Sequence, residues 1–225
     1  MRHHSMQHLN NRLLCAVDVE TTGLRAGYHD VIQIAILPLD GNIKPRKDIT
    51  PFNVYIKPAN PATVSKRAMA VNKIKMDWLM AKGMDIWQSL AVFEDWYKAI
   101  IEDNGYTEIA VLAHNWPFDL SFLKEWFGYD MNNQEYCIMD DYFHHSFRDT
   151  RALAISLNDI AYNLSTDPPF PKQDLQYICT TLGIKRTNKH DALGDAYDTA
   201  RAYRKMTHIQ INQFGIDYVG WSEDD

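Results

Sequence analysis

The chain is poor in cysteine. Its 225 residues include only Cys15, Cys137 and Cys179, which are far apart and form no Cys-x-x-Cys pair. An odd, dispersed set argues against a disulfide framework and against a zinc knuckle. Long apolar runs are missing too: no uninterrupted stretch approaches the ~18–20 residues of a membrane-spanning helix. Positive charge is not in excess. Lys and Arg number 23 against 29 Asp and Glu, a formal net charge of −6. That excludes a strongly basic protein that coats DNA regardless of sequence, though an acidic total says little about the local field in a cleft. The opening MRHHSMQHLNN has no apolar h-region, which argues against a secretory signal. With so little cysteine, the reducing cytoplasm is the expected compartment. Residues 1–11 read as a polar tail in which His3, His4 and His8 are solvated.

What is present is ordinary for a globular chain: 46% hydrophobic and 23% charged residues. The length allows one large domain or two small ones, and a chain of this size buries about 70% of its unfolded surface. Leu13–Glu20 (LLCAVDVE) and Val31–Leu37 (VIQIAIL) are short apolar, partly β-branched runs that read as buried strands. Asp40-Gly41-Asn42 is turn chemistry. From Phe52 to Lys57 apolar and polar residues alternate, as in a half-exposed strand. Ile86, Leu90, Phe93, Tyr97 and Ile101 line one face of a helix. Ile109–Ala113 reads as a fourth strand, Leu120–Phe127 as a helix, and Tyr136–Met139 as a fifth strand. Helices are expected over Ala152–Tyr162, over Leu175–Leu182 before Gly183, and from Ala192 to Ile209. Strands cluster early and helices intervene later, an α/β arrangement. No repeat or linker divides it, so residues 12–209 read as one domain and 210–225 as a loosely held acidic tail.

Three segments carry chemistry. Asp18 and Glu20 stand two apart at the end of the first strand, so both carboxylates face the same way. Their repulsion calls for a cation, a proton or an open cleft; alone, the pair reads first as an exposed strand end entering a turn. Asp119 follows the fourth strand in His114-Asn115-Trp116-Pro117-Phe118-Asp119, where an acid often simply caps a helix. His190 precedes the last long helix and Asp195 lies in its first turns, while Ala192, Ala196 and Ala200 recur every fourth residue and let that helix approach the sheet.

Taken together, Asp-x-Glu-Thr-Thr-Gly, His-Asn-x-x-Phe-Asp-x-x-Phe-Leu and His-x-Ala-x-x-Asp-Ala-x-x-Thr-Ala resemble, in order and spacing, the three motifs of the DnaQ-like (DEDDh) 3′→5′ exonucleases. The likeness covers about residues 12–206. It implies an RNase H-like fold: a five-stranded mixed sheet, second strand antiparallel, flanked by helices. It also implies that Asp18, Glu20, Asp119 and Asp195 hold two divalent cations, Mg²⁺ or Mn²⁺, and that His190 is the general base. The chemistry is consistent with this. Carboxylate oxygens suit hard cations, paired metals can hold the attacking and leaving oxygens of an in-line displacement, and imidazole, with an ordinary pKa of about 6.5, accepts a proton near neutral pH.

By position in the family, Thr21, Thr22 and Leu24 are assigned to the terminal nucleotide and Asn115 to support of the site, the last with a turn role as an equal alternative. The basic run Lys185, Arg186 and Lys189 is assigned to phosphates upstream of the scissile bond, with a solvated loop as the alternative. Trp116 reads as core packing before base stacking. His144, His145, Arg148 and Arg151 read as exposed helix surface, and Lys44, Arg46 and Lys47 as a loop that aids solubility. Many relatives have His-Gly-Ile where Asn72-Lys73-Ile74 stands, so contacts there are not carried over. The expected activity is 3′→5′ hydrolysis of single-stranded or frayed DNA ends to nucleoside 5′-monophosphates, with a DNA polymerase as a possible partner in proofreading. The rivals are an exoribonuclease of the RNase T or oligoribonuclease kind and a non-catalytic module that binds nucleic acid or a polymerase; the five filled site positions count against the last.

Overall fold

The computed structural model describes residues 9–128, 138–212 and 215–218. Two antiparallel and two parallel pairings build a sheet in the order β3-β2-β1-β4-β5. The central strand β1 (Leu13–Thr21) pairs antiparallel with β2 (Val31–Pro38) and parallel with β4 (Ile109–Ala113). Strand β3 (Phe52–Tyr55) pairs antiparallel with β2, and β5 (Phe143–Asp149) parallel with β4. This is the expected five-stranded mixed sheet with an antiparallel second strand.

The strands β1, β2 and β4 are apolar on both faces because helices cover both. On one face Cys15, Val17, Ile34 and Ile36 pack with Phe93 of α3 (Ile86–Tyr97) and with Phe122 and Trp126 of α4 (Trp116–Trp126). Helix α3 starts at a capping box between Asp85 and Gln88, and its chain continues through a wider π-type turn over Lys98–Glu102. On the opposite face Leu14, Ala16, Leu37 and Leu112 meet Ala196 and Ala200 of the last helix, Ala192–Met206. The alanines are fully buried, so the four-residue spacing of small side chains brings this helix onto the sheet as expected. A separate apolar cluster lies farther out. It joins Ala154 and Leu157 of α5 (Thr150–Asn163) to Phe170, Ile178, Cys179 and Met206.

Two short helices, α1 (Lys66–Asn72) and α2 (Met76–Lys82), lie between β3 and α3. The helix α6 (Leu175–Thr181) is followed by Gly183 in the left-handed region, and the last helix is α7 (Ala192–Met206).

Several expectations are corrected. The fifth strand is Phe143–Asp149; of the segment expected to form it, Ile138 and Met139 lie in a 3₁₀ turn and Tyr136 and Cys137 fall outside the described residues. As an edge strand β5 buries only its ends, Phe143 and Asp149, so it has no apolar run to announce it. His144, His145 and Arg148 are therefore on a strand; only Arg151 is on a helix. Helix α4 begins at Trp116, because Asp149 accepts hydrogen bonds from the backbone N–H of Asn115 (3.0 Å) and Trp116 (2.8 Å). Helix α7 stops at Met206, and Ile209–Asn212 (β6) forms an antiparallel hairpin with Gly215–Tyr218 (β7), where a helix end and a tail were expected. The polar tail with His3, His4 and His8 lies outside the described residues. Among the described residues no helix is long and apolar enough to cross a membrane.

Candidate active site

The even-numbered residues of β1 lie under α7. Leu14 and Ala16 pack beneath its alanines, and by the strand's two-residue period Asp18 and Glu20 carry that face out to its end. There the chain supplies the other acids. Asp119, buried in the first turn of α4, accepts a hydrogen bond through Oδ1 from the N–H of Val19 (3.1 Å), the residue between the two strand acids. Asp195 is buried in the first turn of α7. His190, exposed and in the left-handed backbone region (φ 60°), precedes the helix. One ligand atom from each of Glu20, His190 and Asp195 lies within 4.8 Å of the others.

So many acids in one place carry an electrostatic cost. Burial, then the charges of Asp119, Asp195 and Glu20, push the Asp18 carboxyl well above the usual range. Burial and the charges of Asp195 and Asp191 raise Glu20 to about 8. Burial raises Asp119 despite the Val19 hydrogen bond. Asp195 is raised by burial, opposed mainly by Arg186. Four carboxylates that resist ionisation next to one another are the donor set a hard divalent cation takes, so the residues present fit such an ion.

The expected substrate residues divide. Thr21 and Thr22 are buried; Thr21 Oγ1 donates to Gly23 O (2.5 Å), and Thr22 Oγ1 accepts from Asp30 N–H (2.9 Å). Both shape the turn after β1, from which Leu24 projects, 82% exposed. Asn115 stands at the start of α4 in the left-handed region, and its Oδ1 accepts from Arg151 (2.9 Å). Lys185 and Lys189 are exposed. Arg186 is not in an open basic run: its side chain is 3% exposed and ion-paired with Asp195 and, through Nε, with Asp198 (2.9 Å). The guanidinium is drawn inward because Asp198, also bonded to Arg201 (3.3 Å), and Asp195 face one side of α7. Trp116 is buried in the core. Asn72 is buried with its Nδ2 donating to Thr21 O (3.1 Å), and Lys73 takes the left-handed position at the end of α1.

Sequence reasoning missed the clamp that holds the histidine loop. Gln33, fully buried in β2 opposite Glu20, donates through Nε2 to Asp191 Oδ1 (2.8 Å) and accepts through Oε1 from Ala192 N–H (3.2 Å). Tyr55, beside Gln33 on β3, donates to the same Asp191 oxygen (3.1 Å). Asp191 Oδ2 caps α7 through Gly194 N–H (3.0 Å). The residue after His190 is thus fixed from the sheet. A glutamine inside an otherwise apolar strand was the available signal. Gly194 also has a reason to be glycine: a Cβ there would lie 2.3 Å from Asn188 O, so the loop carrying His190 can lie over the first turn of α7.

A five-stranded mixed sheet with an antiparallel second strand, carrying acids from β1, α4 and α7 at one end of its central strand, defines an RNase H-like fold of the DnaQ-like type. The sequence model of the family described as Exonuclease (RNase_T) matches residues 15–203. The chain belongs to that family, whose members imply use of divalent metal. Its curated relatives include the PolC-type DNA polymerase III of Staphylococcus haemolyticus, 24% identical over 88% of this chain, and that of Thermotoga petrophila, 26% identical over 92%. The chain spans only 12% of the length of either polymerase. Among solved structures, E. coli Exonuclease I in complex with a dT13 oligonucleotide matches 86% of this chain and 40% of its own at a TM-score of 0.62 and 20% identity. The zinc-bound E. coli ExoI–ssDNA complex matches the same shares at 0.64 and 20%. These likenesses establish the fold.

Proposed function

We propose that the chain is a metal-dependent 3′→5′ exonuclease that removes nucleotides from single-stranded or frayed DNA ends and releases nucleoside 5′-monophosphates. The observation that carries this reading is the convergence of Glu20, His190 and Asp195 within 4.8 Å, with Asp119 bonded to the backbone between Asp18 and Glu20. Asp18, Glu20, Asp119 and Asp195 would hold two divalent cations, Mg²⁺ or Mn²⁺, which when bound supply an acidified water and charge neutralisation at the leaving oxygen. The chain's own groups do the rest. His190, exposed at the rim, takes the proton of the attacking water. The turn of Thr21 and Thr22 presents Leu24 to the terminal nucleotide. Lys185 and Lys189 face phosphates upstream, while Arg186 orients Asp195 from within, and Asn115 and Arg151 brace the start of α4.

DNA is favoured because the solved neighbours bind dT13 and single-stranded DNA and the curated relatives are DNA polymerases. The polymerase context makes proofreading alongside a DNA polymerase the proposed setting. The test is incubation of the purified protein with end-labelled single-stranded DNA, duplex DNA and RNA in Mg²⁺, Mn²⁺ or EDTA, with Asp18→Ala and His190→Ala in parallel. The expected result is a ladder from the 3′ end of DNA that EDTA and both substitutions abolish. Faster cleavage of RNA would move the protein to the exoribonuclease reading, and cleavage that survives EDTA would overturn the metal-dependent one.

A further inference from the structure

The segment that carries His190 is bound to α7 by a buried arginine. Arg186 precedes His190 in that segment, and its side chain is 3% exposed. Its Nη2 donates to Asp195 Oδ1, and its Nε donates to Asp198 Oδ2 at 2.9 Å. Asp195 and Asp198 stand at helical spacing on one face of α7, so one guanidinium engages one oxygen of each. Asp198 is itself buried and also accepts from Arg201 Nη1 (3.3 Å), which reaches Lys185 O as well (3.2 Å). The two arginines lace the start of the segment to the helix.

Asp195 is also one of the four acids of the candidate site. Clustered carboxylates are relieved by protons, by a divalent cation or by a side-chain cation. Arginine differs from the first two in being permanent: the guanidinium keeps its proton in proteins and cannot diffuse away. The charge of Arg186 reaches past its partner. Burial raises the carboxyls of Asp18, Glu20 and Asp195, and Arg186 opposes the rise at all three. Among acids that fit a hard cation, one positive charge is therefore part of the protein. An ion taken up by Asp195 meets a carboxylate whose Oδ1 is engaged, with a fixed like charge behind it. Removing that charge would leave the acids repelling one another more strongly before metal binds than after, so affinity for the ion would rise.

We propose that Arg186 is a resident cation of the acid site with two separable effects: its charge limits how tightly Asp18, Glu20, Asp119 and Asp195 bind a divalent ion, and its fork fixes the orientation of Asp195 that hydrolysis uses. The proposal rests on the metal-dependent exonuclease reading. It makes Arg186 a positioning residue that acts through Asp195, where the sequence alone read it as a contact to substrate phosphates. Lysine in its place would keep the charge but, as a point donor, would not reproduce the fork that spans both carboxylates; glutamine would lose the charge.

The test measures metal binding and turnover independently. Mn²⁺ binding to the full chain without DNA is followed by titration calorimetry and by the EPR signal of free Mn²⁺, at about pH 8, where protons compete less for the carboxylates. Arg186→Gln is expected to bind Mn²⁺ at least about threefold more tightly than the wild type. Its kcat on single-stranded DNA at saturating Mn²⁺ should nevertheless fall at least about tenfold, the effect usual for a group that orients a metal ligand. Arg186→Lys should return the affinity to within about twofold of wild type while kcat stays low. Lys189→Gln, which removes an exposed cation from the same segment, should leave the affinity within about twofold. Unchanged or weaker Mn²⁺ binding in Arg186→Gln, as a merely structural arginine would give, overturns the proposal, and so does equal tightening in Lys189→Gln. An unchanged kcat in Arg186→Gln removes the orienting effect. If Arg186→Gln does not fold, Arg186→Gln/Asp198→Asn, which removes both charges of the buried pair, carries the same expectation. A wild-type protein that binds no Mn²⁺ would sink the metal-dependent reading and this proposal with it. Tightening as expected in a protein that cleaves no nucleic acid would uphold the charge effect and remove the exonuclease reading alone.

Discussion

Gln33 and His114 show how much rests on single polar groups packed near the sheet. Gln33 ties β2 to Asp191 and Ala192 across 158 and 159 residues of sequence. Replacing it with leucine leaves the Ala192 N–H and one Asp191 oxygen short of partners, a cost of about 1–3 kcal/mol. The larger expected effect is on turnover: Gln33→Leu should lower kcat at least tenfold while KM and the Mn²⁺ dissociation constant stay within about twofold, since the His190 loop loses its anchor. Steady-state kinetics with calorimetric metal titration check this; a KM that rises as much as kcat falls would remove Gln33 from the positioning of the loop. His114, at the end of β4, bonds Thr150 Oγ1 through Nδ1 (2.8 Å), and burial lowers its pKa to about 4. The folded protein therefore binds fewer protons here than the unfolded chain between about pH 6.5 and 4. The stability this group contributes is fully present above about pH 6.5 and is lost as pH falls through that window, by up to about 3 kcal/mol. Urea unfolding at pH 7.5 and 5 should show this fall in the wild type and a shallower one in His114→Gln.

At the scale of elements, the 184–190 loop lies close over the first turn of α7. Gly194→Ala would drive a Cβ against Asn188 O, so the loop must move outward and take His190 with it. The expected outcome is reduced exonuclease activity with a loss of stability of about 1–3 kcal/mol, as for other overpacked positions, read by denaturant unfolding beside the activity assay. An alanine variant of full activity would show that the loop need not lie where it does. The elements also show what the sequence made legible. β1, β2 and β4 are buried on both faces, so their composition alone marked them. β5 is an edge strand with polar residues along most of its length, and β6–β7 is a short hairpin beyond a helix end, so neither carried a periodic signal. The candidate acids and histidine could be singled out in the sequence because each lies in a local motif. The Gln33–Tyr55–Asp191 clamp was not, because it joins residues that only the fold brings together. Arg186 was read as part of a basic run, yet its two carboxylate partners lie nine and twelve residues on, across a turn of unknown path.

The whole molecule concentrates acids in one place, the end of β1. Burial and mutual repulsion raise the acids, so the metal-free protein carries electrostatic strain. Asp18→Asn should therefore raise the stability of the metal-free protein by about 0.5–2 kcal/mol while abolishing cleavage, in keeping with the general opposition between active-site charge and stability. The wild type should also gain stability when Mn²⁺ is added and the variant much less. Thermal unfolding with and without Mn²⁺ measures both; an Asp18→Asn protein less stable than wild type in EDTA would contradict the account of repulsion.

The two buried thiols give the separate apolar clusters a use as timekeepers. Cys15 sits in the central strand and Cys179 in the outlying cluster of α5, α6 and α7, and burial raises both, Cys179 to about 12. Neither reacts with an alkylating agent until its own surroundings open. Pulse labelling read peptide by peptide should thus modify Cys179 earlier than Cys15 if the outlying cluster opens by itself, and both together if the fold comes apart in one step. Two natural cysteines would then time the order in which the molecule comes undone, with no engineered probe.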